Sequence, residues 1–178
     1  MDIGVISVRY ARALLKAATN AGLEDTVYRA MQMLAQTYID VHELRFTIDN
    51  PMLPKQKKKE LLVTASGGKT SELVNSFFDL VLREDRESVI QFMANSYITL
   101  YRRQKNIIRG KLTTAVSVSS DIEKKMRTMV ENRTNAAVEF ETEVDPNIIG
   151  GFVLEYDTYR LDASVQSQLR NVLKQLKK

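Results

Sequence analysis

Near residue 107 the apolar residues change from a helical period to two-residue alternation, and one regular element cannot follow both. A chain patterned this way has to build two kinds of layer, helices first and then a sheet. The later pattern is sharpest in Val138-Glu139-Phe140-Glu141-Thr142-Glu143-Val144, with Val138, Phe140 and Val144 on one face and three glutamates on the other. That is a strand with one wet side. Residues 112–118 alternate more weakly, and between the two runs Ser119, Ser120 and Asp121 offer N-caps for a helix through about Asn132. Asp145-Pro146-Asn147 marks a turn, followed by strands near 151–156 and 159–161. A last helix is expected to open at Asp162 as N-cap and to carry Val165, Leu169, Val172, Leu173 and Leu176 in one narrow apolar stripe.

Before residue 107 nearly everything reads as helix. A first helix over about 4–20 is stopped by Gly22, a residue suited to a C-cap, and a second spans about 23–41. Asn50-Pro51 and Leu53-Pro54 mark a turn, because a residue preceding proline is pushed out of the helical region. Pro54 suits the first position of a helix running through Lys59 and Leu62. Ser66-Gly67-Gly68 breaks that helix, and two more follow at about 70–83 and 87–106. The expected fold class is α+β. Residues 1–106 form a compact bundle of five or six helices, and residues 107–178 a small β-α-β-β-β-α domain, a mixed sheet with two helices.

Composition closes off several functions. The 178 residues can bury a core in one large domain or two small ones, and 44% apolar with 27% charged residues is ordinary for a globular chain. No apolar run approaches the ~20 residues that cross a bilayer, and the opening residues do not read as a secretory signal. Zero cysteines remove disulfides, thiolate metal sites and a cysteine nucleophile. The net charge of +4 is spread evenly, with 15 Lys+Arg against 12 Asp+Glu in residues 1–106 and 11 against 10 in residues 107–178. A nucleic-acid binder more often shows one lopsided domain.

Two helices carry more apolar surface than a surface helix needs. At 100° per residue, Ile6, Tyr10, Ala13, Leu14 and Ala17 fall on one side of the first helix, and Val8, Ala11, Leu15 and Ala18 on the other. Only Arg9, Arg12, Lys16 and Thr19 stay wet, so roughly two-thirds of the circumference is apolar. The helix after Ser71 is similar, with Leu73, Val74, Phe77, Phe78, Leu80, Val81 and Leu82 leaving Asn75, Asp79 and Arg83 wet. Either both helices are buried by their neighbours, or the surplus faces form a groove for a partner's amphipathic helix.

Residues with chemical potential read mostly as structural. Gly67-Gly68-Lys69-Thr70 looks like the end of a phosphate-binding loop, yet the earlier glycine that such a loop requires falls at Val63. His42 has no ligand companion at fixed spacing and reads as a solvated helix end. Glu139, Glu141 and Glu143 could meet a hard cation but read as a solvated acidic face. Gly150-Gly151 leads into a strand rather than a helix, which favours a bulge or close packing over a phosphate cradle. Arg102-Arg103-Gln104-Lys105 suits the negative end of a helix dipole. Lys55 and Lys57-Lys58-Lys59 read as a solvated surface, and a basic helical module binding nucleic acid is the alternative function they leave open. No serine sits in a nucleophile elbow and no second histidine is present to act as a base, so catalysis, cofactors and metals are not expected.

Two short stretches carry a family likeness: Val8-Arg9-Tyr10-Ala11-Arg12-Ala13-Leu14-Leu15, and Ile149-Gly150-Gly151-Phe152-Val153 running on to Leu161-Asp162-Ala163-Ser164-Val165. Together they resemble the delta subunit of the F-type rotary ATP synthase, counterpart of the mitochondrial oligomycin-sensitivity-conferring protein. Asn50-Pro51 followed by Lys57, Lys58 and Lys59 is similar to that family's Asn-Pro turn and lysine-bearing fourth helix. The resemblance covers essentially the whole length and implies a non-catalytic stator subunit without cofactors. It would lie on the cytoplasmic side of the inner membrane, attached only through the complex, and resist rotor torque during proton-driven synthesis. It implies a six-helix N-terminal bundle that receives an alpha-subunit N-terminal helix between its first and fifth helices. Tyr10, Ala13, Leu14 and Ala17 lie on the first of these, and Phe77, Leu80 and Val81 on the fifth. It also implies a second domain that meets the b subunits of the stalk and carries Gly150, Gly151, Asp162 and Ser164 as its structural motif. Val165, Leu169, Val172 and Leu176 could serve that contact, although packing on the domain's own sheet is the first expectation. Many family members have glycine before the hairpin aspartate, where this chain has Tyr156-Asp157.

Overall fold

The computed structural model describes residues 3–156 and 158–176, so Asp157 and the hairpin turn it would define lie outside the described residues. The chain divides into two compact units, Met1–Gln104 and Lys105–Lys178. It is a mixed α+β protein, mostly helical with one four-stranded sheet.

The first unit is helical: α1 (Ile3–Ala21), α2 (Glu24–Asp40), α3 (His42–Asp49), α4 (Lys55–Ala65), α5 (Glu72–Arg83) and α6 (Ile90–Lys105). Local chemistry sets the ends. Gly22 takes φ +65°, its N–H reaches Thr19 O, and the Leu23 N–H reaches Ala18 O, a closure that satisfies two orphan carbonyls of α1. Gly67 and Asp85 end α4 and α5 with the same pair of bonds, the latter at a non-glycine φ of +53°. The Ser71 hydroxyl accepts the Val74 N–H and caps α5, so that helix starts at Glu72 rather than near residue 70. Pro54 stands just before α4 as its cap, not inside it. The short α3 separates where Val41 takes φ −116°, ψ 88°, a break that carries no proline or glycine to announce it. α1 packs on α2 and α5, and α4 packs on the same two helices. Ala11, Leu14, Leu15 and Ala18 of α1 meet a core that includes Met31 and Phe78.

The second unit holds β1 (Ile107–Thr114), α7 (Ser120–Thr134), β2 (Ala137–Val144), β3 (Phe152–Tyr156), β4 (Tyr159–Asp162) and α8 (Val165–Leu176). Strands run β2-β1-β3-β4, with β1 parallel to β2 and antiparallel to β3. α7 is the crossover that a parallel pair requires. Its Met126 and Val130 pack with Leu112, Val138 and Leu154 in the core. Gly110 sits opposite Phe140, whose ring occupies the space a side chain there would need.

β1 lies about five residues earlier than the alternation at 112–118 suggests. Its eight residues match β2 one for one from Ile107↔Ala137 to Thr114↔Val144, and Arg109 and Lys111 occupy the wet face where their ion pairs hide the pattern. Val144, expected on the inner face with Val138 and Phe140, is half exposed at the strand end.

Candidate functional site

The inward face of α1 is Ser7, Ala11, Leu14, Leu15 and Ala18. That leaves Val5, Ile6, Tyr10, Ala13 and Ala17 on a flank where neighbouring helices cover them only partly or not at all. α5 runs beside this flank, burying Phe77, Phe78 and Val81 while Leu80 stays 37% exposed. Between them is an apolar cleft of ≈ 510 Å³ lined by Val5, Ile6, Tyr10, Ala13 and Leu80, with Arg9 and Arg86 as its charged members.

The expected groove residues therefore separate. Tyr10, Ala13 and Leu80 line the cleft, and Ala17 is half-buried farther along α1. Leu14, Phe77 and Val81 belong to the core, at 4%, 7% and 0% exposure, because they point along the α1–α5 and α5–core contacts rather than out of them. Val5, Ile6, Arg9 and Arg86 were not among the expected groove residues. For Ile6 the signal was present, since it shares the side of α1 that carries Tyr10, Ala13 and Ala17, whereas Val5 falls on the strip of Arg9, Arg12 and Lys16 that reads as wet.

The basic run is not a free cationic surface. Lys58, expected in solvent, is buried, with Nζ 2.6 Å from Glu87 Oε1. Lys55 pairs with Asp85, Lys57 with Glu60 and Lys59 with Asp79. Arg102 donates from Nε to the Tyr28 hydroxyl at 2.9 Å and lies over the same ring, which itself stacks on Tyr101 at 4.0 Å. Burial and the hydrogen bond to Asp25 hold the Tyr101 phenol well above its ordinary value. The buried pair with Glu87 withdraws Lys58 from any phosphate backbone, while the exposed pairs of Lys55 and Lys57 are weak.

In the second unit Gly151 takes φ +73°, and a Cβ there would stand 2.2 Å from the Ala163 carbonyl oxygen. Val165 N–H bonds the Gly150 carbonyl at 3.0 Å, tying the glycine turn to the start of α8. The expected cap is shifted: Asp162 ends β4, and Ser164 caps α8, its hydroxyl accepting the Ser167 N–H at 3.2 Å. Asp162 supports that cap by accepting the Ser164 hydroxyl at 2.6 Å, the Ser164 N–H and the Ser167 hydroxyl. These bonds, the Ser164 hydroxyl first, lower its carboxyl to about 2.

α8 does not pack on the sheet as expected. It buries no residue, its main neighbour is the 3₁₀ turn at Pro146–Ile148, and Leu169, Val172, Leu173 and Leu176 are 51%, 51%, 56% and 79% exposed. α7 already covers the one apolar sheet face, and the other carries Arg109 and Lys111 paired with Glu141 and Glu143.

Residues 6–176 match the model of the ATP synthase delta (OSCP) subunit family. The chain belongs to that family. The delta subunit of Phocaeicola vulgatus is 49% identical over 176 residues, covering 98% of this chain and 95% of that protein. That of Bacteroides fragilis is 42% identical over 177 residues, covering 98% and 95%. A chain of the Toxoplasma gondii mitochondrial ATP synthase hexamer shares the fold, with a TM-score of 0.66, 19% identity and 97% coverage of both chains. As a delta-family protein this is a non-catalytic component of the peripheral stalk, and the nucleic-acid alternative finds no support. Among the described residues no helix is long and apolar enough to cross a membrane.

Proposed function

We propose that the α1/α5 cleft receives the N-terminal helix of an alpha subunit and that the unit Lys105–Lys178 holds the b subunits. The chain would then keep the catalytic head from turning with the rotor during proton-driven ATP synthesis. The observation that carries this reading is the cleft: Val5, Ile6, Tyr10, Ala13 and Leu80 stay at least partly open to solvent between two helices whose inward faces are buried. A partner helix laid there reads such a trough with anchors spaced i, i+3 or i+4, and i+7. On this reading α1–α6 act as one six-helix bundle capping the head. The subunit lies on the cytoplasmic side of the inner membrane, held through the complex.

Calorimetry of the full chain with a synthetic alpha-subunit N-terminal helix, at low and high salt, tests the assignment. The expected result is 1:1 binding with a negative heat-capacity change, since apolar surface is buried. Leu80→Asp weakens it at least ~10-fold, the loss of more than 1.4 kcal/mol, with an unchanged thermal transition. Absence of binding, or Leu80→Asp binding as tightly as the parent, sinks the groove.

A further inference from the structure

α8 combines a secure start with an unsupported body. Its first turn is fixed by the Ser164 cap, the Asp162 bonds to Ser164 and Ser167, and the Val165 N–H to the Gly150 carbonyl. Beyond that turn its apolar stripe Leu169, Val172, Leu173 and Leu176 lies at least half exposed. Helices shorter than about 12–15 residues are marginal in water without tertiary packing. α8 has 12 and buries none of them. The charge on the segment is one-sided: residues 165–178 hold Arg170, Lys174, Lys177 and Lys178 and not one aspartate or glutamate.

We infer that α8 is a pre-nucleated docking helix whose body becomes firmly helical only against a partner, and that this partner is an amphipathic helix with carboxylates flanking its apolar stripe. The cap lowers the entropic cost of nucleation, so binding need only propagate the helix. The four leucine and valine side chains supply the apolar seam. Arg170 and Lys174 select acidic flanks over basic ones and speed the encounter in a salt-dependent way. This rests on the stalk reading, in which the occupant is the end of a b subunit, and it adds the surface, the partner's charge and the coupled ordering.

Hydrogen exchange on the full chain, read over residues 165–176, tests it. The probes are a 20-residue Leu/Glu amphipathic helix, the same helix with Lys for Glu, the soluble part of the b subunit of the same synthase, and phosphatidylglycerol vesicles. The free chain should exchange rapidly beyond Ser167, while the Leu/Glu helix and the b fragment slow those amides at least ~10-fold. The Lys version should do nothing, and 500 mM salt should weaken binding at least ~10-fold. Leu173→Asp, at an exposed position, should abolish protection and leave the core transition where it was. Strong protection of α8 in the free chain overturns the inference, as does equal binding of both synthetic helices, or protection by vesicles alone. A Leu173-dependent dimer of the chain overturns it too. If the b fragment binds without protecting α8, the stalk reading stands and the α8 assignment fails. If it does not bind, both fail.

Discussion

Lys58 Nζ lies 2.6 Å from Glu87 Oε1, with the two side chains only 4% and 15% exposed, so α4 is joined to the turn before α6 by an ion pair inside the protein. Glu87 Oε2 and the Tyr38 hydroxyl are both buried without a hydrogen-bond partner. Burial first, then the Asp49 and Glu87 charges, hold the Tyr38 phenol far above its ordinary value. Removing one member of such a pair strands the other charge out of water, which costs about 3–5 kcal/mol. Glu87→Ala should therefore lower stability in urea by about 3 kcal/mol. The double variant Lys58→Met/Glu87→Leu, which leaves no buried charge, should recover most of the loss. Equal losses in both would mean that the pair contributes through packing alone.

Leu14 and Leu80 belong to the same α1–α5 neighbourhood but differ in exposure, 4% against 37%. Leu14→Ala removes a core side chain and should cost about 2–4 kcal/mol. Leu80→Ala should cost under ~1 kcal/mol of stability and instead weaken the alpha-helix complex. Denaturation and calorimetry on the same two variants check the split. A Leu14→Ala variant of full stability would show that α1 is not seated as described.

The glycines of the second unit should rank by what a side chain would strike. At Gly151 it meets the Ala163 backbone oxygen at 2.2 Å with φ already at +73°. At Gly110 it meets the Phe140 ring at 2.6 Å, and at Gly150 only a methyl of Val165 at 3.1 Å. Backbone cannot yield as a side chain can, so Gly151→Ala should cost about 3 kcal/mol or more, Gly110→Ala less and Gly150→Ala least. Thermal denaturation of the three single variants orders them. Gly150→Ala as the most damaging would contradict the turn geometry.

Features written in local chemistry were legible in the sequence. Gly22 ends α1 because glycine accepts the left-handed turn, and the Val138–Val144 alternation marks β2 since each residue faces either α7 or water. What depends on neighbours was not. Leu14 and Ala13 are adjacent on a helix apolar over most of its girth, and only the position of α5 decides which is core and which lines the cleft. The β1 register was hidden because Arg109 and Lys111 answer glutamates on another strand. The periodicity of α8 announces an apolar face but not what covers it, and α7 had already taken the sheet face available.

The Asp162 carboxylate should make the α8 cap acid-labile. Hydrogen bonds from the Ser164 and Ser167 hydroxyls and the Ser164 N–H lower its value from 3.8 to about 2. A carboxylate held below its unfolded value supports the fold above that value and ceases to as the pH falls through the folded one. The contribution is thus whole at neutral pH, begins to fade near pH 4 and is lost as the pH falls through about 2. Carboxyl-carbon NMR should place the Asp162 midpoint near 2. Protection at residues 165–167, taken against the intrinsic exchange rate at each pH, should fall over that range in the parent. In Asp162→Asn that protection should be low at every pH, with no step. A midpoint near 3.8 would mean that the two serines do not hold this carboxylate, and α8 would then lack the fixed start its docking role requires.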